Sequence, residues 1–268
     1  RRLPEHLESM RMTASLSGRD LGHSFGDVAA LDGFDIDVAG GSTVAVVGPS
    51  GCGKSTLLEL ICGLRQPDRG SIDIGGRRSP EARLALCAYM PQKDCLLPWY
   101  SAIDNAALAL RNRGLSRAEA RGRAGELFAR FGLKGFESSR PDELSGGMRQ
   151  RVAFLRTLLS GKEVLLLDEP FAALDAITRA ELQQWLLPAL GDAGHTTVLV
   201  THDVEEALYL GDSVVVMSPR PGRVIERIDS PGSVSEDRSE QVTSPQFTEL
   251  RERILERLTE PAGEGRAR

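Results

Sequence analysis

Two rhythms of apolar residues divide this chain. "ASLSGRDLGHSF" (14–25) and "LDGFDIDVAGG" (31–41) nearly alternate apolar with polar positions, punctuated by Gly and Asp. That period of two predicts short antiparallel strands. "STVAVVG" (42–48) is instead a continuous apolar run closed by glycine, and "KSTLLELICGL" (54–64) then repeats apolar residues at helical spacing. Strand, glycine-rich turn and helix in that order open an α/β unit. "GSIDIGG" (70–76) reads as a hairpin edge.

From about 93 to 160 the texture changes. "SAIDNAALALRNRG", "SRAEARGRAGELFARFG" and "MRQRVAFLRTLLS" are rich in Ala, Arg and Leu at helical spacing with no clear strand between them, which predicts a helical subdomain inserted into the α/β domain. Strand runs then return in "EVLLLDEP", "HTTVLVTHD" and "DSVVVMS", the first two separated by the helical "AITRAELQQWLLPAL". Strands alternating with helices argue for a mainly parallel sheet. Residues 1–11 are polar and expected to be flexible, 12–232 form the α/β domain, and 233–268 hold a polar segment and an amphipathic helix. In that helix Ser244 is placed as cap and Pro245 as the first helical residue. Phe247, Leu250, Ile254, Leu255 and Leu258 share one face, for docking on the protein's own surface or on a partner.

The 268 residues carry 41% apolar and 26% charged positions with a net charge of −5. Such a chain is an ordinary globular protein, and its bulk charge favours no nucleic-acid partner. No apolar run reaches the ~20 residues of a membrane span, and the N-terminal stretch has no signal-peptide core, so the chain is not expected to cross a bilayer itself. Cys52, Cys62, Cys87 and Cys95 form no metal-binding spacing; reduced thiols of a cytosolic protein are expected.

Two short stretches carry chemistry. "GPSGCGKST" matches G-x-x-x-x-G-K-[ST] between a strand and a helix. Gly48, Gly51 and Gly53 let successive N–H groups converge on phosphate oxygens, and the helix start adds its dipole. Pro49, Ser50, Cys52 and Thr56 complete the loop. Lys54 is expected to reach the terminal phosphates of a nucleoside triphosphate and Ser55 to offer its hydroxyl to Mg²⁺. A Cys52 thiol in such a loop is expected to be shielded from alkylation by the bound nucleotide. In "VLLLDEP" Asp168 at a strand tip suits Mg²⁺, and Glu169 beside it suits a general base for the attacking water.

With these motifs in place, "LSGGMRQ" (144–150) resembles the signature of ATP-binding cassette (ABC) transporter subunits, and the resemblance covers roughly residues 12–229. It implies a P-loop NTPase (RecA-like) core with a mainly parallel sheet, an antiparallel β subdomain and an inserted α-helical subdomain: the ABC ATPase fold. In that family two subunits pack head to tail, each signature gripping the ATP held by the other's phosphate loop. Ser145, Gly146, Gly147 and Gln150 are thereby implied as ATP contacts in trans. The resemblance places Phe25 on adenine, against the alternative of a plain core Phe. Gln92 of "YMPQKD" is matched to the glutamine that touches Mg²⁺ or the attacking water. Asp175 of "AALDA" falls at the dimer interface and His202 of "LVTHD" on the γ-phosphate. His195, His23 and His6 keep structural readings.

"DCLLPWYSAIDNAAL", "FAALDAITR" and "MSPRPGRV" resemble importers of the nitrate, sulfonate, taurine and thiamine-precursor group. Tyr100 departs from the arginine common after "LPW", and "FLRTLL" from the usual "LARAL". The implied protein is a homodimeric ATPase on the cytoplasmic face of the membrane, working with permease subunits and indirectly an extracytoplasmic solute-binding protein. The alternative is a soluble ABC ATPase outside transport, but neither a long coiled-coil insertion nor a second cassette is present. A nucleotide-binding scaffold without hydrolysis is opposed by Glu169 and His202. A P-loop kinase or GTPase would leave the signature unexplained.

Overall fold

The computed structural model describes residues 13–231 and 238–259; the stretch 1–11 expected to be flexible lies outside them. Strands β1 (Leu16–Phe25) and β2 (Val28–Val38) pair antiparallel, with Leu16 opposite Val38 and Phe25 opposite Val28. After β3 (Thr43–Val47), which belongs elsewhere, β4 (Arg69–Ile74) pairs antiparallel with β1 and forms the edge that "GSIDIGG" predicts.

The second sheet adds β5 (Cys87–Met90), β6 (Val164–Asp168), β7 (Thr196–Thr201), β8 (Ser213–Met217) and β9 (Val224–Asp229), in the order β5-β6-β7-β3-β8-β9. All neighbours run parallel except β9, antiparallel to β8. The continuous apolar runs follow from burial on both faces. Val44, Val46, Leu166, Val198 and Val200 enter one core, shared with α1 (Lys54–Cys62) and the antiparallel sheet. Ala45, Val47, Leu165, Leu167 and Leu199 enter the other. Successive strand side chains point to opposite faces, so a strand covered on both sides is apolar through its middle, with its buried polar residues, Thr43, Asp168, Thr196, Thr197, Thr201 and Ser213, at or near the strand ends.

The helix α2 (Pro80–Leu86), capped by Ser79, precedes β5; neither was marked by the sequence pattern. Between β5 and β6 lie the expected helices: α3 (Ala102–Ala106), α4 (Leu108–Asn112), α5 (Arg117–Phe128), a 3₁₀ turn (Pro141–Glu143) and α6 (Gly146–Leu158). Asn105 fixes the entry to this region, its amide bonding the Leu97 N–H and the carbonyls of Leu97, Tyr100 and Ser101. Then come α7 (Ala176–Ala193), which runs through Pro188, and α8 (Val204–Leu210).

At the C-terminal side α9 (Arg238–Val242) and α10 (Pro245–Thr259) pack back on α8 and β8. Ser244 accepts from the Phe247 N–H as expected. Phe247 and Ile254 are fully buried and Leu250 and Leu258 half-buried, so the helix docks on its own chain. Leu255 does not: it is 46% exposed, because α10 buries a stripe narrower than its apolar face. Among the described residues no helix is long and apolar enough to cross a membrane.

Candidate functional site

The carboxyl ends of β3, β6 and β7 point the same way, and open parallel sheets place their chemistry at those ends. β3 runs into the turn 48–53, and α1 begins at Lys54. Gly53, its cap, sits at φ +110, and a Cβ there would lie 2.7 Å from the Ala30 carbonyl. Only glycine fits so close an approach. Lys54 is buried, its Nζ donating to Gly48 O at 2.7 Å and Pro49 O at 3.0 Å. A cleft of about 350 Å³ opens over this turn. Ser50, Gly51, Gly53, Lys54, Ser55 and Thr56 line it from the loop and helix; Gln92, Asp168 and Glu169 line it from neighbouring strand ends. Gly48, Pro49 and Cys52 lie behind the lining.

Asp168 ends β6 and is 3% exposed. Burial pushes its carboxyl above the usual carboxylate range, opposed by hydrogen bonds from Ser55 and Tyr89. Carboxylate, hydroxyl and the Gln92 amide oxygen are the hard oxygen donors Mg²⁺ prefers, and a buried carboxyl lifted by desolvation is one that a cation would return to its charged form. The residues fit that ion.

Glu169 follows at φ +49, a region strained for non-glycine residues by about 1–3 kcal/mol. Its N–H is fixed to Val200 O at 2.8 Å. Its carboxylate accepts from Gln92 Nε2 at 3.1 Å and lies 3.4 Å from His202 Nδ1. Three residues that sequence motifs nominated separately thus meet at one carboxylate.

Behind Glu169 and His202 is a small cavity also lined by Thr201, Asp203, Arg179 and Glu206. Glu206 was not singled out by its sequence. It is 4% exposed, and its Oε1 has no hydrogen-bond partner. Burial and the nearby Asp203 push its carboxyl up to about 8. An unfolded chain ionises Glu206 near 4.5, so between that pH and about 8 the folded form alone keeps the proton. Stability therefore falls as pH rises through the window, by at most about 1.4 kcal/mol per unit. Glu206→Gln is expected to gain melting temperature relative to the wild type from pH 5 to pH 8; an unchanged difference across the two pH values would refute the assignment.

The signature lies apart from the cleft. Ser145 caps α6, its Oγ accepting from Met148 N at 3.2 Å; Ser145 and Gly146 are exposed and Gly147 half-buried. None of the three lines the cleft. Gln150 corrects the expectation for this motif: it is 5% exposed, because five residues of helix turn it about 140° from Ser145. Its side chain faces the core rather than a partner.

Arg149 and Arg156, also unmarked in the sequence, reach back from α6 to the segment after Gln92. Arg149 Nε meets Asp94 Oδ2 at 2.9 Å, and Arg156 bonds the carbonyls of Asp94 and Cys95 at 2.7 and 2.8 Å.

Asp175 is exposed and accepts from Thr178 N at 3.0 Å at the start of α7. Phe25 is 45% exposed with the Arg65 guanidinium 4.9 Å over its ring, which excludes the core alternative. His195 is buried in β7's approach, where burial pushes its imidazole down, as a structural histidine should be.

Cys52 overturns its expected shielding by nucleotide. The thiol is 1% exposed and burial pushes it up, so it is unreactive with or without ATP. Cys62 and Cys87 are also buried, Cys87 pushed up to about 12, and Cys95 is exposed. Iodoacetamide on the folded chain is expected to modify Cys95 and leave Cys52 untouched, as peptide mass mapping would read; fast labelling of Cys52 would contradict its burial.

The ABC transporter family pattern matches residues 31–172. A taurine import ATP-binding protein, TauB, of Chromobacterium violaceum is 44% identical over 232 residues, spanning 84% of this chain and 88% of that protein. TauB of Rhizobium johnstonii is 45% identical, spanning 85% and 88%. Among solved structures, the dimeric ATP-binding cassette MJ0796 in a post-hydrolysis state with ADP and Pi matches with a TM-score of 0.74 at 29% identity, covering 81% of this chain and 99% of that one.

Proposed function

The chain belongs to the ABC transporter family of ATP-binding proteins, and from that premise we propose that it hydrolyses ATP to power import of a small sulfonate of the taurine type. The observation that carries the mechanism is the separation of two grips. Lys54, Ser55, Asp168 and Glu169 line one cleft, while Ser145 and Gly146 stand exposed outside it. A single chain therefore holds half of each pocket, and two copies packed head to tail complete both, an arrangement supported by the dimeric cassette neighbours.

Within a pocket, Lys54 and the N–H groups of the turn hold the triphosphate. Ser55, Asp168 and Gln92 would hold Mg²⁺, which supplies charge neutralisation on the phosphates when bound. Glu169 accepts a proton from the attacking water, steadied by Gln92 and His202 on either side. Across the interface, Ser145 and the start of α6 bind the γ-phosphate, and Asp175 belongs to the contact. Phe25 offers its exposed ring to adenine.

Closure follows from bridging two γ-phosphates, and loss of that bridge on hydrolysis reopens the dimer. Gln92 and its tie through Asp94 to Arg149 carry the motion to the helical subdomain, and from there to a membrane permease on whose cytoplasmic side this subunit sits. A solute-binding protein outside the membrane would deliver the sulfonate. The soluble, non-transport alternative is not favoured, since the relatives described are import proteins.

A mixed dimer tests the composite pocket. Lys54→Ala ruins the loop of its own chain and Ser145→Arg the signature of its own. A dimer with one copy of each, purified on two tags in complex with the permease, has one intact pocket and one doubly damaged. At ATP near the wild-type KM it is expected to regain up to about half of wild-type turnover although each parent turns over little, as two-fold symmetry requires. No recovery would contradict a composite pocket that turns over by itself.

A further inference from the structure

One more cation lines the nucleotide cleft. Arg220 lies on the loop 218–223 joining β8 to β9, 169 positions from the phosphate loop, and forks its guanidinium onto the Gly51 carbonyl, Nε at 3.0 Å and Nη2 at 2.7 Å. Gly51 sits at φ +76 in the turn. The next N–H, that of Cys52, donates to Pro49 O at 3.3 Å. Both polar ends of the planar Gly51–Cys52 peptide are therefore held, one by Pro49 and the other by Arg220.

The loop that carries Arg220 is itself braced. Ser218 N donates to Arg223 O at 2.9 Å, and Ser218 Oγ accepts from Arg223 N at 2.9 Å. Gly222 N donates to Ala30 O at 2.9 Å and Gly222 O accepts from Asp32 N at 3.2 Å, while Arg223 pairs with Asp32. A Cβ on Gly222 would stand 2.4 Å from Cys52 O. The loop is wedged between β2 and the phosphate loop, with its arginine anchored from a rigid base.

We propose that Arg220 is a positioning residue of the nucleotide site, its two-pronged hold on the Gly51 carbonyl keeping the phosphate loop in the shape that receives the triphosphate. This rests on the reading of the cleft as the ATP site. The effect acts on the loop before and during reaction alike, so it falls on affinity rather than on the chemical step. A planar fork is what the contact needs; a lysine ammonium can donate to the same carbonyl only as a point charge.

The test measures ATP binding to the full chain by calorimetry, and KM and kcat in the complex with its permease. Arg220→Gln is expected to weaken ATP about tenfold and to raise KM by a similar factor, with the loss in kcat at most about twofold. Arg220→Lys is expected to recover only part of the affinity. Without ATP the melting temperature should stay within about 2 °C of the wild type, while the rise produced by ATP shrinks. ATP affinity in Arg220→Gln within about twofold of wild type would overturn the proposal. So would full recovery by lysine, a loss confined to kcat, or a fall of more than about 5 °C in the ATP-free protein. Lys54→Ala, measured alongside, separates the two readings: if it loses ATP while Arg220→Gln does not, only the role of Arg220 fails. If Lys54→Ala binds ATP as the wild type does, the cleft is not the ATP site.

Discussion

Glu169→Gln is expected to lower ATP turnover by about 10²–10⁴-fold while leaving ATP binding in place. Glutamine keeps the size of the side chain and an oxygen that can accept from Gln92 Nε2, now 3.1 Å from the carboxylate. What it cannot do is take a proton from water. With bound triphosphate no longer consumed, two copies should stay bridged, and Mg-ATP should shift the variant to a dimer in size-exclusion chromatography. Phosphate release in the permease complex reads the rate. Turnover within threefold of wild type would remove Glu169 from the role of base, and His202, 3.4 Å away and exposed, would be the next residue to examine.

Lys54→Ala carries the second large effect, on binding. Its Nζ is the buried cation of the cleft, held by the Gly48 and Pro49 carbonyls at 2.7 and 3.0 Å. Each charge-assisted bond to phosphate contributes about 1.5–3 kcal/mol, so alanine is expected to weaken ATP by roughly 10–100-fold. Lys54 itself lines the cleft in front of those carbonyls, so removing its side chain opens them to water and the fold should survive. Calorimetric titration with ATP, beside a melting curve without it, distinguishes the two. An unchanged dissociation constant would contradict the role of the phosphate loop.

Much of this architecture could be read from residue order because the physics was local. β3, β6, β7 and β8 are buried on both faces and so had to be written as runs that are apolar through their middles. The phosphate loop announced itself through glycines at fixed offsets from a lysine. β5 escaped because "CAYM" is only four residues at the rim of the sheet, directly abutting α2. β9, "VIERID", is an antiparallel edge whose Glu226 and Arg227 break the apolar signal.

The site divides the same way. Asp168, Glu169 and Gln92 stood in recognisable motifs, and folding brought them together. Gln150 belonged to a motif but was turned inward by helix geometry. Arg220, Arg149 and Glu206 act through contacts with residues far along the chain, or through burial alone, and no local pattern encodes either. Leu255 shows the converse, an apolar residue in good register that its neighbours leave uncovered.

The wedge formed by Gly222, Ala30 and Cys52 also bears on the order of events at synthesis. β3, which runs into the nucleotide loop, lies between β7 and β8 in the sheet, so its strand partners are translated long after it. The nucleotide loop, translated early, receives its final brace only when residues 218–223 have been translated and slotted in beside β2. Nascent chains stalled ahead of that point should bind ATP poorly however well their sheet has formed, so competence to load fuel arrives late and all at once.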